Sequence, residues 1–569
     1  MQRRRVCDSW PRWSGSIGLM LSAWACSDEF PTDPLIEFEI DPAASLTSTM
    51  MVRDTDTVVV RLIDSAAAAV KGIRVRWSSS APALLELKPI APATASPRDS
   101  LDAQMRIQTI AHARGNAVVT ATVDQPGFAA VAFEHTATIL ERWVQVTSGA
   151  GYTCGLTIDQ DAYCWGGMNT FVFPNLALGT GSTDGSDRPV PVLGGLKFTS
   201  LVAGDNITCG LTNLPGLLYC WGANTWGELG LGNFQPSLVP AITVGGRTYT
   251  QVSTRGTVTC AIASFATIDT DGARANTLCW GRATSGAMGR GSATAFDAVA
   301  CTSVGFPGGV CVPQPTCCVF ALVSRDFVLH SVGVGGEFAC GLVENRNLLV
   351  RGEVYCWGLN TVGQTGLSPF GEEDANCATN PDLEPPIPCR VLADKVATDH
   401  AFTALSVGGG FSCAVATTKA VYCWGQRYGP TPTLVSGSGQ VDSVSVGGRS
   451  DALLSEFLDL THACALTVLG EAYCWGSNLA GQLGTGELDE FQTPTLFHTD
   501  MQKVAQDTLR FVAISAGEST EVIQGDVAHT CALTGEGAIY CWGSNLTGAV
   551  GVPGATVVMV PTRIAEPIP

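Results

Sequence analysis

The sequence predicts an all-β chain in two parts, a small sandwich followed by a ring of repeated small sheets, and three observations predict it. The 569 residues include 64 Gly and 30 Pro, and only 15% are charged. That composition suits a folded, turn-rich chain and leaves little room for long disorder. Short alternating apolar segments separated by Gly, Pro and Ser run from about residue 36 to 140, as in half-buried strands. Beyond Arg142 the triplet Cys-Trp-Gly recurs seven times, at spacings of 51 to 77 residues, and self-similarity on this scale marks a repeat architecture.

Residues 1–25 read as a secretory signal: Arg3, Arg4, Arg5 and Arg12 precede the apolar stretch Trp13 to Ala25. That stretch is shorter than the roughly 20 residues a membrane-spanning helix needs. Cys26 resembles the lipidated cysteine of bacterial lipoproteins, with the polar segment 26–40 as tether. Trp24 departs from that motif, and Ala23-x-Ala25 equally suits ordinary cleavage. The expected location is the cell envelope, held by a lipid at Cys26, or the medium. With 32 basic against 51 acidic residues and a formal charge of −19, the chain lacks the clustered cations that bind nucleic acid.

In 41–141 the expected strands are Thr57 to Ile63, Ile73 to Trp77 and Ala117 to Val123. Trp77-Ser78-Ser79 and the later Gly115-x-Ala117-x-Val119-x-Ala121 resemble a bacterial immunoglobulin-like domain of group 2 type, which implies a spacer sandwich with Trp77 as a core anchor.

The repeat of 142–569 is clearest at His462-Ala463-Cys464-Ala465-Leu466-Thr467, then Gly470-Glu471-Ala472-Tyr473-Cys474-Trp475-Gly476-Ser477-Asn478, then Gly481-Gln482-Leu483-Gly484. It resembles the regulator of chromosome condensation repeat family, which implies a seven-bladed β-propeller. Each unit alone cannot bury both faces of its strands, so the units must stack around an axis. Thr556 to Ile564 resembles the strand that follows Asn-x-x-Gly in earlier copies, and is expected to close the ring by pairing with the sheet that begins at Trp143. The family's eukaryotic members promote nucleotide exchange on a small GTPase and bind chromatin; an exported, acidic chain is expected to do neither.

Each copy carries one Cys before its hairpin and one in Cys-Trp-Gly: Cys154 and Cys164, Cys209 and Cys220, Cys260 and Cys279, Cys340 and Cys356, Cys413 and Cys423, Cys464 and Cys474, Cys531 and Cys541. In the sixth copy a turn at Val468-Leu469-Gly470 sets Thr467 against Glu471 and Cys464 against Cys474. Directly opposed strand residues lie about 4.5 to 5.5 Å apart, within disulfide reach. Cys377 and Cys389 bracket a Pro-rich insertion and are expected to pair. Cys301, Cys311, Cys317 and Cys318 have no legible connectivity, and their spacing is not that of a zinc site. So many cysteines point to an oxidising compartment.

Enzymatic motifs are missing from the sequence. His462 and His529 occupy a slot that holds Tyr152, Ile207, Val258, Phe338 and Phe411 in other copies, which is a packing position. Asp269-Thr270-Asp271-Gly272 reads as a turn rather than a calcium loop. The expected protein is a non-enzymatic monomer without cofactor or metal that binds another protein or a surface polymer through its loops. The irregular loops are Met168 to Arg188, Ala283 to Cys318 and Leu367 to Arg390. Trp226, where other copies have small or aliphatic residues, is the leading contact candidate, with Phe171, Phe173 and Phe370 as further aromatics. An inhibitor of an extracellular enzyme is the second reading. A polysaccharide-acting enzyme using Glu372 and Glu373 is the third.

Overall fold

A computed structural model describes residues 39–40, 47–59, 62–63, 75–89, 106–123, 132–168, 175–213, 216–268, 274–282, 286–289, 321–323, 328–343, 352–369, 375–376, 387–437, 439–448, 461–489, 497–517, 520–522 and 525–568. They form two compact units that divide between Leu140 and Glu141.

The first unit is all β. One sheet runs in the order Thr47–Met51, Ala132–Leu140, Gly115–Val123, Val75–Ser79, and a second joins Thr55–Val59, Arg106–Ala111 and Leu85–Pro89. Alternation sets their faces: Ala117, Val119 and Ala121 are buried on one strand, and Phe133, Ala137 and Ile139 on its partner. The expected strand from Thr57 to Ile63 is divided, since Leu62–Ile63 pairs with Glu39–Ile40 instead. Trp77 is only half-buried, not the enclosed anchor expected, because Val75–Ser79 is the edge strand of its sheet.

Among the described residues the second unit holds seven antiparallel sheets of four or five strands and one two-stranded hairpin, Thr520–Val522 with Gly525–Val527. The first comprises Trp143–Ser148, Tyr152–Thr157, Ala162–Gly166 and Ser186–Pro191, in chain order from the axis outward. The other blades occupy 198–242, 249–322, 329–395, 402–434, 441–503 and 511–563. The fourth has an additional outer strand, Ala375–Asn376. This is a β-propeller. In five of its second strands, Tyr152–Thr157, Phe338–Val343, Phe411–Ala416, His462–Thr467 and His529–Thr534, every residue is buried, because neighbouring blades cover both faces.

The innermost strands do not form a continuous sheet, so side chains satisfy their facing amides. The Oγ of Ser253, Ser406 and Ser445 accept from the next blade's Val334 N, Val446 N and Ala516 N at 2.9 to 3.0 Å. Gln145 does the same with Leu201, donating to its carbonyl and accepting from its amide.

Ring closure differs from the expectation. Val557–Arg563 pairs with Ile539–Ser544 in its own seventh blade, not with the sheet at Trp143. The reason lies in the phase of the chain: the first blade already has its own four strands, whereas the seventh has Val557–Arg563 as its fourth. Closure relies on seam contacts. Trp143 N donates to Gly537 O (2.9 Å), Met168 N to Thr547 O (2.9 Å) and Ile568 N to Pro189 O (2.9 Å).

The seven hairpin cysteine pairs are bonded within their own blades, from Cys154–Cys164 to Cys531–Cys541. Their Cα atoms are 4.0 to 4.1 Å apart, closer than the opposed-strand range. The cross-link draws together a pair at a site where strands already approach most nearly. In the sixth hairpin Thr467 N donates to Glu471 O at 2.9 Å, and Gly470 takes φ +76°, a left-handed conformation that glycine adopts without penalty.

Candidate functional site

The connections from third to fourth strand leave one end of the ring, and an asparagine organises each well-formed one. Asn224 Oδ1 accepts from Leu229 N (3.0 Å) while its Nδ2 donates to Asn233 O (2.8 Å) and Gln235 O (2.9 Å). Asn478 and Asn545 repeat the arrangement. The turn it shapes aims one carbonyl at the following blade. Glu228 O accepts from Trp280 Nε1 and Thr259 Oγ1, both at 2.9 Å, and Gln482 O accepts from Trp542 Nε1 and Thr530 Oγ1, also at 2.9 Å. Ala177 O serves Trp221 and Thr208 in the same way. The tryptophan of Cys-Trp-Gly is therefore a core residue, fully buried in every blade, and in Trp221, Trp280, Trp357 and Trp542 its indole N–H is a blade-to-blade link.

In so regular a frame, the informative residues are those the frame does not require. Trp226 stands where the equivalent turns carry Val362, Ala480 and Thr547, the last two buried, whereas Trp226 is 41% exposed. Its backbone N donates to Glu228 Oε2 (2.7 Å). Glu228 is itself buried, and burial raises its carboxyl pKa. Gln364 and Gln482, at the same position, accept the matching backbone hydrogen bond without a charge.

Over the Trp226 ring lies the Arg282 guanidinium, 5.0 Å from the ring centroid, within cation–π range. Arg282 follows Cys-Trp-Gly of the third blade, where other copies have Gly167, Ala223, Leu359, Gln426, Ser477 and Ser544. Its Nη1 donates to Glu337 Oε1 of the fourth blade at 3.2 Å. Three blades thus contribute one side chain each to a stacked cluster: an exposed indole, a cation fixed on its face, and a carboxylate that orients the cation. It has the aromatic and arginine composition of protein-binding hot spots. Nothing in it supplies a nucleophile or a paired acid and base.

Of the sequence-predicted contacts, only Trp226 lies in the described residues. Phe171, Phe173, Phe370, Glu372, Glu373, Asp269 to Gly272, Cys26, Cys301, Cys311, Cys317, Cys318 and Cys377 lie outside them. Cys389 is disulfide-bonded and fully buried. Arg282 and Glu337 are missed by sequence reasoning, although comparing residues at the same place in each copy could have flagged Arg282. The histidine slot is buried, as its apolar occupants imply, and it also bridges seams. His462 Nε2 lies 2.9 Å from Thr530 Oγ1, and His529 Nε2 lies 2.7 Å from Thr153 Oγ1. Tyr152, in the same slot, donates to Ile207 O at 2.7 Å.

The regulator of chromosome condensation (RCC1) repeat family matches residues 215–262, 351–415, 470–522 and 524–548. These four segments match RCC1 repeats. The matched segment 215–262 begins in the second blade and ends in the third, so the sequence repeat straddles a seam. This explains why a turn in one copy and a tryptophan in the next form one hydrogen-bonded joint. The chain is 23% identical over 424 residues to the ultraviolet-B receptor UVR8 of Arabidopsis thaliana, covering 72% of this chain and 78% of the receptor. It is 27% identical over 248 residues to the RCC1-like G exchanging factor-like protein of Mus musculus, covering 41% of this chain and 46% of the mouse protein. The crystal structure of human WBSCR16 shares the fold, with a TM-score of 0.50 at 17% identity over 71% of this chain and 94% of that one.

Proposed function

We propose that this protein is an exported, non-enzymatic RCC1-repeat propeller that binds a protein partner through the face on which Trp226, Arg282 and Glu337 meet. The observation that carries the reading is the stack itself. A large exposed aromatic replaces small residues of the repeat, and a cation from a second blade holds it in place, so little side-chain entropy remains to be lost on binding. Fourteen cysteines in seven buried in-blade disulfides support an oxidising compartment. Anchoring at Cys26 and an immunoglobulin-like spacer in 41–141 complete the proposal.

The test is affinity capture from extracts of the native source with wild-type protein, Trp226→Ala and Lys419→Ala. Lys419 pairs with Asp442 at 2.6 Å, and it lies in the hairpin at the opposite end of the sheets. The proposal predicts one stoichiometric protein that Trp226→Ala weakens at least tenfold and Lys419→Ala retains. Equal capture by all three would remove Trp226 from the site. Glycan turnover abolished by Glu372→Gln with Glu373→Gln would replace binding by catalysis.

A further inference from the structure

Where each innermost strand ends at the loop end of the ring, six blades place a glycine: Gly149, Gly204, Gly335, Gly408, Gly447 and Gly517. A methyl group on Gly149 would stand 2.5 Å from Gly204 O, one on Gly408 2.7 Å from Gly447 O, and one on Gly447 2.3 Å from Gly517 O. At these glycines neighbouring blades meet backbone to backbone, and none of them puts a side chain towards the axis. The third blade departs from this. At the equivalent position, opposite Val258 in the ladder, stands Arg255.

Arg255 is 7% exposed, and its Nη2 donates to Val446 O at 3.2 Å. Val446 ends the innermost strand of the sixth blade, next to Gly447, three blades further round a ring of seven. A side chain that joins the third blade to the sixth must cross the axis. We infer that Arg255 is a transaxial clasp: it closes the central channel at the loop end and ties together two blades that share no seam. The ring of glycines makes the room, and Asp205, beside Gly204, supplies the opposing charge. Burial lowers the guanidinium pKa to about 10, so it remains a cation at neutral pH and a charge-assisted donor. This inference does not rest on the partner-binding reading.

Amide hydrogen exchange on the full chain tests it, comparing wild type, Arg255→Gly and Arg255→Met. Gly is the residue of the other six copies, and Met keeps the apolar stem without the donor. The clasp predicts that exchange in Val441–Val446, across the axis, rises at least tenfold in both variants, together with Tyr249–Arg255. A rise confined to the third blade and its neighbours, with Val441–Val446 unchanged, overturns it, as does no rise at all. Should Arg255→Gly fail to fold, Arg255→Met alone decides between these outcomes.

Discussion

His529 shows how a single side chain contributes to the acid sensitivity of the ring. It is fully buried at the seam between the last and first blades, and burial lowers its pKa from 6.5 to about 4. Below pH 6.5 the unfolded chain binds a proton that the native state refuses, so stability is complete above that pH and falls as pH drops towards 4. There the native state takes up the proton too and the loss levels off, at about 3 kcal/mol. His529→Phe, the residue of this slot in the fourth and fifth blades, should remove that part of the acid limb. Denaturant midpoints at pH 7 and pH 4.5 measure it, and an identical pH dependence in wild type and variant would contradict it. The sequence shows that the slot is apolar. It does not show that Thr153, 376 residues away, meets the imidazole, because that contact exists only once the ring is closed. Trp226 is legible for the opposite reason: a bulky residue in a turn built for small ones has nowhere to go but out. Arg282 becomes its partner only when adjacent blades are stacked.

At the scale of the element, the joint between turn and tryptophan determines how blades adhere. The fifth blade passes from Gly425 to Gly429 through Gln426, Arg427 and Tyr428, without the Asn-x-x-Gly-x-x-Gly turn. The tryptophan it should serve, Trp475, has a buried Nε1 with no hydrogen-bond partner, and Tyr428 packs there against Phe411 at 5.5 Å between ring centroids. Trp542→Phe loses a hydrogen bond to Gln482 O, whereas Trp475→Phe loses none. The first variant should be less stable than the second by about 1 kcal/mol in urea unfolding; equal midpoints would deny the joint its energetic role. Gly484 belongs to the same joint, with φ +68° and a space that a methyl group would share with Trp542 Nε1 at 2.7 Å. Gly484→Ala should cost about 2 kcal/mol or more, since strain and overpacking combine, and its thermal midpoint reads this directly. The spacing of these glycines is plain in the sequence. Their purpose is not, because the atom each one spares belongs to the next repeat.

For the whole molecule, seven copies in register reveal the propeller and the hairpin partner of every cysteine in Cys-Trp-Gly. They do not reveal how the circle ends. A strand resembling earlier fourth strands fits either its own blade or the first one, and only the completeness of the blade at Trp143 decides. The seam is held by hydrogen bonds such as Trp143 N to Gly537 O rather than by a shared sheet, which leaves cohesion to the separate blades. Each of those is stapled by a disulfide worth about 2 to 3 kcal/mol on the chain-entropy account. The most direct measurement is a disulfide map: proteolysis of the non-reduced protein from its native source, with mass analysis of the linked peptides. The account predicts seven cross-links confined to single hairpins, Cys154–Cys164 through Cys531–Cys541, and no free thiol among those fourteen. A cross-link between cysteines of different blades, or free thiols in the hairpins, would contradict it.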